Sequence, residues 1–349
     1  MSQHFDYIIV GQGIAGTLLS HQLTKAEKKI LVIDAFNPNS SSHVAAGIIH
    51  PITGRRLVKT WQYETAMKIA LNVYKELESI INTTLFFEKP ILEIFDSVKT
   101  KNDWILKSSD SNVGHIAGKI FNGQISSAIN SPFGGIQING GGFLLIKRLI
   151  EMYRQILFNN NSLLEEQFEI DLLKHHDRFV EYKSFTAEKI IFCEGSYAAV
   201  NKYFNHLPFQ LAKGEVLVVK CDALTDDYII NKSNYILPLG NQHFKIGSTF
   251  DWENLNTQPT PQAREKLIHH FQTIVNPPFT VVEQFAAVRP TVKHRKPFLG
   301  FHPQYINIGI FNGLGTKGVL LAPWLSTMMC NLLTDEQPLI KEVEITNYH

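Results

Sequence analysis

Cysteine is scarce in this 349-residue chain: Cys193, Cys221 and Cys330 lie far apart, and none sits in a CxxC or Cys/His spacing. An odd, scattered set of three excludes a disulfide-stapled small domain, a zinc module and a dithiol redox pair, so no metal site is expected. An excess of one charge is also missing. The 33 basic and 32 acidic residues leave a net charge of +1, which argues against a surface built for polyanions. The short basic groups at Arg55, Arg56 and Lys59 and at Lys293, Arg295 and Lys296 read as local features. Long apolar runs are absent as well. The most apolar stretch, Val319 to Leu333, is too short to span a bilayer and is broken by Pro323, Ser326, Thr327 and Asn331, so it reads as a buried helix and no membrane partner is expected. The N-terminus enters a strand pattern at Phe5 without the parts of an export signal, and the expected location is cytoplasmic.

What is present begins with length. A chain of this size exceeds the usual single core, so two domains, or one domain with an inserted lobe, are expected. The opening reads strand (FDYIIV), glycine-rich turn (GQGIAG), helix, strand (KKILVIDA), which is one βαβ unit. Tyr63, Ala66, Met67, Ala70, Val73, Tyr74, Leu77 and Ile81 fall at three-and-four spacing and predict a long amphipathic helix. Residues 85–135 alternate short apolar runs with Asn, Ser, Gly and Pro, which predicts short strands rather than helices and marks the start of an inserted lobe. A helix is expected within 139–157, then strands at FEIDLL, RFVEYK and EKIIFCEG. Further strands are expected at EVLVVK, YILPLG, HFKIGSTF and VVEQFAAVRP, with one helix near Ala263 to Val275. Strand, glycine-rich turn and helix recur at YINIGIF, NGLGTKG and VLLAPWLSTMM.

In the turn, Gly11 permits the tight bend, Gly13 lets backbone approach a pyrophosphate, and Gly16 lets the helix pack on the strand. Ile14 and Ala15 open a helix whose positive end faces the phosphates. Asp34, eighteen residues after Gly16 at the end of the next strand, is placed to hold a ribose, with Ala35 beside it. This fingerprint does not by itself separate NAD from FAD, because both present the same ADP half.

Four further segments resemble the D-amino-acid oxidase and glycine oxidase family of flavoproteins, and the resemblance runs from the first strand to the last helix. They are Val44-Ala45-Ala46-Gly47-Ile48 with Pro51; IIFCEG ending at Gly195; Tyr235 to Pro238 with Gly247 to Phe250 and Trp252; and Val288-Arg289-Pro290 paired with Asn312 to Gly318 and Leu321-Ala322-Pro323. The chain departs from the family at Cys193-Glu194, where Ala-Thr is usual. It departs again at Lys293 to Lys296, where an acidic residue is usual.

The resemblance implies an α/β fold: an FAD-binding Rossmann-like domain with a second, mainly antiparallel β-sheet substrate domain. The expected division is residues 1–82, 137–205 and 286–349 for a discontinuous FAD-binding domain, and 83–136 with 206–285 for the substrate domain. It implies FAD held by the Gly11 turn, Asp34, Ala35, Ser42, Ala46, Gly47, Ile48, Phe168 on its strand, Gly195 and Arg289. The terminal turn Gly313, Leu314, Gly315, Thr316, Lys317 and Gly318 would complete that site. Its free backbone N–H groups and positive helix end would favour negative charge on the flavin, whereas Lys317 reads equally well as a solvated lysine. His43 lies one place before the histidine that some relatives attach to flavin, and Val44 holds that place, so the FAD is expected to be noncovalent.

Arg289 presents a fork of donors fitted to a carboxylate, and the matching family arginine binds the substrate carboxylate. Tyr235 resembles the tyrosine that adds a second hydrogen bond, though a tyrosine opening an apolar strand also reads as core. His50 and Arg55 are candidates for the same pocket, while TGRR also reads as a polar turn. The remaining histidines, including His269 and His270, lack ligand spacing and are expected at the surface. The expected activity is removal of a hydride from the C–N carbon of a small amine or amino acid, giving an imine, with electrons passed to oxygen or another acceptor. Two alternatives stay open: an oxidoreductase acting on a tRNA wobble-uridine side chain, in which case tRNA is the partner, and a flavin-binding protein without turnover.

Overall fold

The computed structural model describes residues 3–54 and 56–348 of the chain. One eight-stranded sheet grows around Gln3–Val10, which pairs in parallel with Ile30–Ile33 on one side and Phe185–Phe192 on the other. Leu163–Leu164 adds in parallel at one edge, and Ile308–Asn312 pairs in parallel with the end of Phe185–Phe192. Val180–Tyr182, Leu173–His175 and Phe298–Phe301 extend the sheet in antiparallel pairs. The first strand is a near-continuous apolar run because both of its faces are covered. Tyr7 and Ile9 pack on one side with the helices Ile14–Lys25, Tyr63–Ile81, Ile146–Asn159 and Gly318–Asp335, while Ile8 and Val10 pack on the other with Tyr182, Tyr203 and Phe204.

The second eight-stranded sheet runs in the order Thr280–Arg289, Ala212–Lys220, His243–Gly247, Asn234–Gly240, Ile229–Lys232, Ile91–Ile94, Gly135–Ile138, Ala117–Phe121. All of its pairs are antiparallel except Ile229–Lys232 with Ile91–Ile94. The α/β architecture is thus a dinucleotide-type parallel sheet joined to a mainly antiparallel one. We propose the two-lobe division on sheet membership, with the joins moved past Ile138 and Arg289, because Gly135–Ile138 and Thr280–Arg289 run through the boundaries at 136/137 and 285/286.

Several local expectations differ from the structure. Val98–Ser108 is a helix inside the region expected to hold only strands. Ser97 caps it by accepting from Thr100 N, and Trp104 alone is buried, so the segment carries no helical stripe of apolar residues to read. FEIDLL is not a strand: Ile170–Leu172 forms a 3-10 turn and pairing begins only at Leu173, so Phe168 does not lie on a strand. The helix expected near Ala263 starts at Pro261, capped by Thr260, and ends at Gln272. His269 is exposed, but His270 is half-buried, and His21 lies only 5% exposed, edge-on to Tyr153. Among the described residues no helix is long and apolar enough to cross a membrane, and no cluster of His, Cys, Asp and Glu could hold a metal ion.

Candidate active site

A cavity of about 1040 Å³ opens between the two sheets, at the C-terminal edge of the parallel strands. At one end the strand Gln3–Val10 passes into the Gly11 turn. Gly11 takes φ +95°, and a Cβ there would stand 2.7 Å from the Cys193 carbonyl oxygen. A Cβ on Gly16 would run into the Gly11 carbonyl, so its bareness lets the helix seat on the strand. Gly13 caps the Ile14–Lys25 helix with no side-chain acceptor of its own, and Ser42 Oγ instead accepts from Ile14 N at 3.1 Å. Gly11, Gly13, Ile14, Ala15 and Ser42 all line the cavity, whereas Gly16 serves packing beneath it.

Asp34 stands at the mouth of this end in a network the sequence did not reveal. Its Oδ2 accepts from Gln12 N at 2.8 Å, and its Oδ1 accepts from Phe36 N and from Arg154 Nη1, each at 2.8 Å. Arg154 also donates to Gln12 Oε1 and to Glu165 Oε1. The signal lay in the helix pattern: Arg154 follows Ile150 by four residues, on the buried face, and is only 9% exposed. Ala35 lines the cavity next to Asp34. His43 packs edge-on against Phe36 at 5.3 Å, and burial lowers its pKa. Phe168 also lines the cavity, stacked on Tyr182 at 4.5 Å.

The middle of the cavity is floored by the Ala46, Gly47, Ile48 stretch and faced by Gly195, which takes φ +60° with open space where a Cβ would be. A Cβ on Gly47 would collide with the Leu144 carbonyl, so glycine alone lets this stretch run against the strand Gly142–Leu144. Beneath it, Lys245 Nζ donates to the Val44 carbonyl at 3.2 Å, and burial pulls its pKa down to about 8. Strand alternation hid this lysine, since a polar residue between Phe244 and Ile246 reads as solvent-facing.

The Gly318–Asp335 helix begins beside the first helix: a Cβ on Gly318 would lie 3.4 Å from Ile14 Cγ2. Two positive helix ends therefore face the same space. Leu314, Gly315, Thr316, Lys317 and Gly318 line it, but Gly313 does not; its Cβ position points at Val292 and Phe298. Burial lowers the Lys317 pKa to about 8, and its ammonium has no ion-pair partner among the described residues.

At the far end Arg289 closes the Thr280–Arg289 strand. Its Nη2 donates to Ser248 Oγ at 2.6 Å and to the Thr249 carbonyl at 3.3 Å, and the guanidinium lies 4.5 Å from the centre of the Phe250 ring. No carboxylate pairs with it among the described residues, and burial lowers its pKa. Room for it exists because Gly214 on the neighbouring strand has no side chain: a Cβ there would overlap the guanidinium. Gly247 does the same for Tyr235, whose hydroxyl would lie 2.6 Å from a Cβ. Burial pushes the Tyr235 pKa well up, so the phenol stays a donor. His50 lines the same end. Its Nδ1 accepts from Ile52 N at 3.1 Å and its Nε2 faces Glu93 at 3.5 Å, which places the proton on Nε2. Glu93 also accepts from Asn231 Nδ2 at 2.7 Å. Arg55 lies outside the described residues.

The cavity therefore combines an acid at the end of the second strand, a bare-glycine turn, two converging helix N-termini and two half-buried cations that pair with no acid among the described residues. That donor set fits a long anionic dinucleotide such as FAD.

Comparison with known proteins agrees with this reading of the fold. The chain is 21% identical to glycine oxidase of Pseudomonas aeruginosa, over 95% of this chain and 96% of that one. It is 22% identical to monomeric sarcosine oxidase of a Bacillus species, over 96% and 94%. The structure superposes on the crystal structure of glycine oxidase from Bacillus cereus with a TM-score of 0.83, at 18% identity and 96% coverage of both chains. The family model for FAD dependent oxidoreductases of the DAO type matches residues 6–332. The chain thus belongs to the DAO family of FAD-dependent oxidoreductases, and FAD is its cofactor.

Proposed function

We propose that this enzyme oxidises a small amino acid or N-substituted glycine at the carbon bearing nitrogen. The observation that carries the reading is Arg289, a half-buried guanidinium that faces the cavity beside Tyr235 and pairs with no acid among the described residues. A desolvated cation without an ion partner is costly, and a substrate carboxylate removes that cost while accepting a charge-assisted hydrogen bond. Tyr235 stays protonated and donates to the same carboxylate. His50, with its proton held toward Glu93, has neither nitrogen free to act as a base, so its part is to shape the pocket wall. Both relatives' names, glycine oxidase and sarcosine oxidase, denote enzymes of small carboxylate-bearing amines, which supports the assignment.

In this reading FAD is held noncovalently by the Gly11 to Ala15 turn, Asp34, Ser42, the Ala46 to Ile48 stretch, Phe168, Gly195 and the Leu314 to Gly318 turn. When bound, it supplies a two-electron acceptor for the hydride leaving the C–N carbon. What the chain contributes is orientation: Arg289 and Tyr235 fix one end of the substrate, so that its carbon is presented rather than left to tumble. The amine must lose a proton to become the hydride donor, and among the described residues lining the Arg289 end there is no carboxylate or free imidazole to take it, so solvent removes it. The imine hydrolyses in water, and the electrons pass on to oxygen or another acceptor.

The test is an anaerobic titration of the FAD-loaded protein with glycine, sarcosine and D- and L-amino acids, following loss of the oxidised flavin colour. Bleaching by one class, with a much raised half-saturating concentration in Arg289→Ala, supports the assignment. Reduction by dithionite with none by any amine rejects it.

A further inference from the structure

Glu194 is unused by the proposed substrate clamp, and it stands where the family resemblance leads one to expect threonine before Gly195. The parallel pairing of Gln3–Val10 with Phe185–Phe192 brings Val10 opposite Phe192, so the two chain segments leave the sheet side by side. Cys193 N donates to the Val10 carbonyl at 2.7 Å, and a Cβ on Gly11 would stand 3.2 Å from Glu194 Cα. Glu194 therefore lies against the turn whose backbone amides and helix end form the anion cradle. Its side chain opens onto the cavity.

The carboxyl has one protein partner. Asn201 Nδ2 donates to Oε2 at 2.8 Å, and Asn201 is itself 4% exposed and fixed by Tyr203 N, which donates to its Oδ1 at 3.0 Å. Oε1 has no hydrogen-bond partner among the described residues. The other charged groups of the cavity wall come from every neighbouring element: Asp34 after the second strand, Glu166 after Leu163–Leu164, Lys317 at the last helix and Arg289 on the opposite sheet. Glu194 forms an ion pair with none of them. Cys193 and Tyr197 flank it, and burial raises the Cys193 pKa. Burial also pushes the Glu194 carboxyl up to about 7, and a diphosphate laid on the adjoining turn pushes it the same way, since like charges disfavour a second anion.

We propose that Glu194 is a cofactor-binding residue that works as a neutral acid, its Oε1 hydroxyl donating a hydrogen bond to an oxygen of the FAD diphosphate on the Gly11 turn. Ionisation converts this donor into a carboxylate beside the phosphates, so FAD is held tightly at low pH and released as pH rises. The proposal depends on FAD binding and is independent of which amine is oxidised.

The experiment measures FAD dissociation from the intact holoenzyme, by the fluorescence of released FAD, between about pH 6 and about pH 9. Binding that requires the protonated acid makes Kd climb with pH, approaching tenfold per unit above the carboxyl's pKa. Glu194→Gln keeps a donor and cannot ionise, so its Kd stays within about threefold of the low-pH value at every pH. Lys317→Met and Lys245→Met, which remove the two lysines held at a pKa of about 8, each keep the slope. A wild-type Kd that falls as pH rises marks a carboxylate accepting from a hydroxyl and overturns the proposal. A slope that survives in Glu194→Gln, or vanishes in Lys317→Met or Lys245→Met, overturns it equally. Should the glutamine variant not fold, the sign of the wild-type slope together with the Lys317→Met and Lys245→Met profiles still decides.

Discussion

The two ends of the cavity handle charge in opposite ways. At the Asp34 end the charges of Asp34 and Arg154 are answered within the protein: the carboxylate takes two backbone N–H groups and Arg154, and Arg154 is shared with Gln12 and Glu165. At the Arg289 end the guanidinium has a hydroxyl, two carbonyls and an aromatic face, but no anion. The first end is a finished structural network that offers a ligand its remaining lone pairs. The second is left electrostatically incomplete, and its ligand is what completes it.

Removing a charge from each end should therefore register in different observables. Asp34→Ala leaves the buried Arg154 with Glu165 as its one acid among the described residues and removes the acceptor of Gln12 N and Phe36 N, and should lower folding stability by about 2 kcal/mol, read from urea unfolding. Arg289→Ala strands nothing of opposite charge, and the same unfolding curve should move by under about 1 kcal/mol. Equal losses at both ends would remove the distinction between a finished and an incomplete site.

The order reverses for ligand binding. Loss of the carboxylate clamp in Arg289→Ala should raise the Kd of an amino-acid substrate by about 30-fold to about 100-fold, the worth of one charge-assisted hydrogen bond, measured by stopped-flow flavin reduction.

Lys317 sharpens the comparison through pH. Its folded pKa is depressed to about 8, so the ammonium is present below that value and lost as pH rises through it. A cation at the start of the last helix favours negative charge on the reduced flavin. Lys317→Met should then lower the flavin midpoint potential by about 20 mV below about pH 8, the two-electron equivalent of roughly 1 kcal/mol, and by nothing well above it. A difference that persists at high pH would mean that the lysine acts by packing. The smallest effect belongs to Phe250→Ala, which removes a half-exposed aromatic face from Arg289 and should raise substrate Kd about threefold. An unchanged Kd there would assign the orientation of Arg289 to Ser248 and the Thr249 and Lys213 carbonyls.

The nucleotide end was legible in the sequence because its requirements are local. Gly11, Gly13, Gly16 and Asp34 occupy one βαβ unit, and each answers a constraint set by its near neighbours in sequence. The long helix Tyr63–Ile81 was legible for the same reason, its period showing one buried face. Residues whose task depends on distant chain were not. Arg154 meets Asp34 across 120 positions, and Lys245 meets Val44 across 201, so nothing near either residue in sequence announces the partner. The Val98–Ser108 helix was missed because it buries a single residue, and the FEIDLL segment misled because apolar residues at a 3-10 turn resemble a strand end. Gly214 and Gly247 show a third kind of gap: their function is an absence of side chain beneath Arg289 and Tyr235, which becomes visible only once the strands are paired.

The central claim is that the unneutralised Arg289 reads a substrate carboxylate. The most direct measurement compares flavin reduction of the holoenzyme by an amino acid and by its primary amide, glycine against glycinamide and sarcosine against its amide, each with wild type and Arg289→Ala. The account predicts that the carboxylate binds at least about 30-fold tighter than the amide in wild type, and that Arg289→Ala erases the difference. Amide and acid reducing the flavin with equal half-saturation in wild type would contradict it.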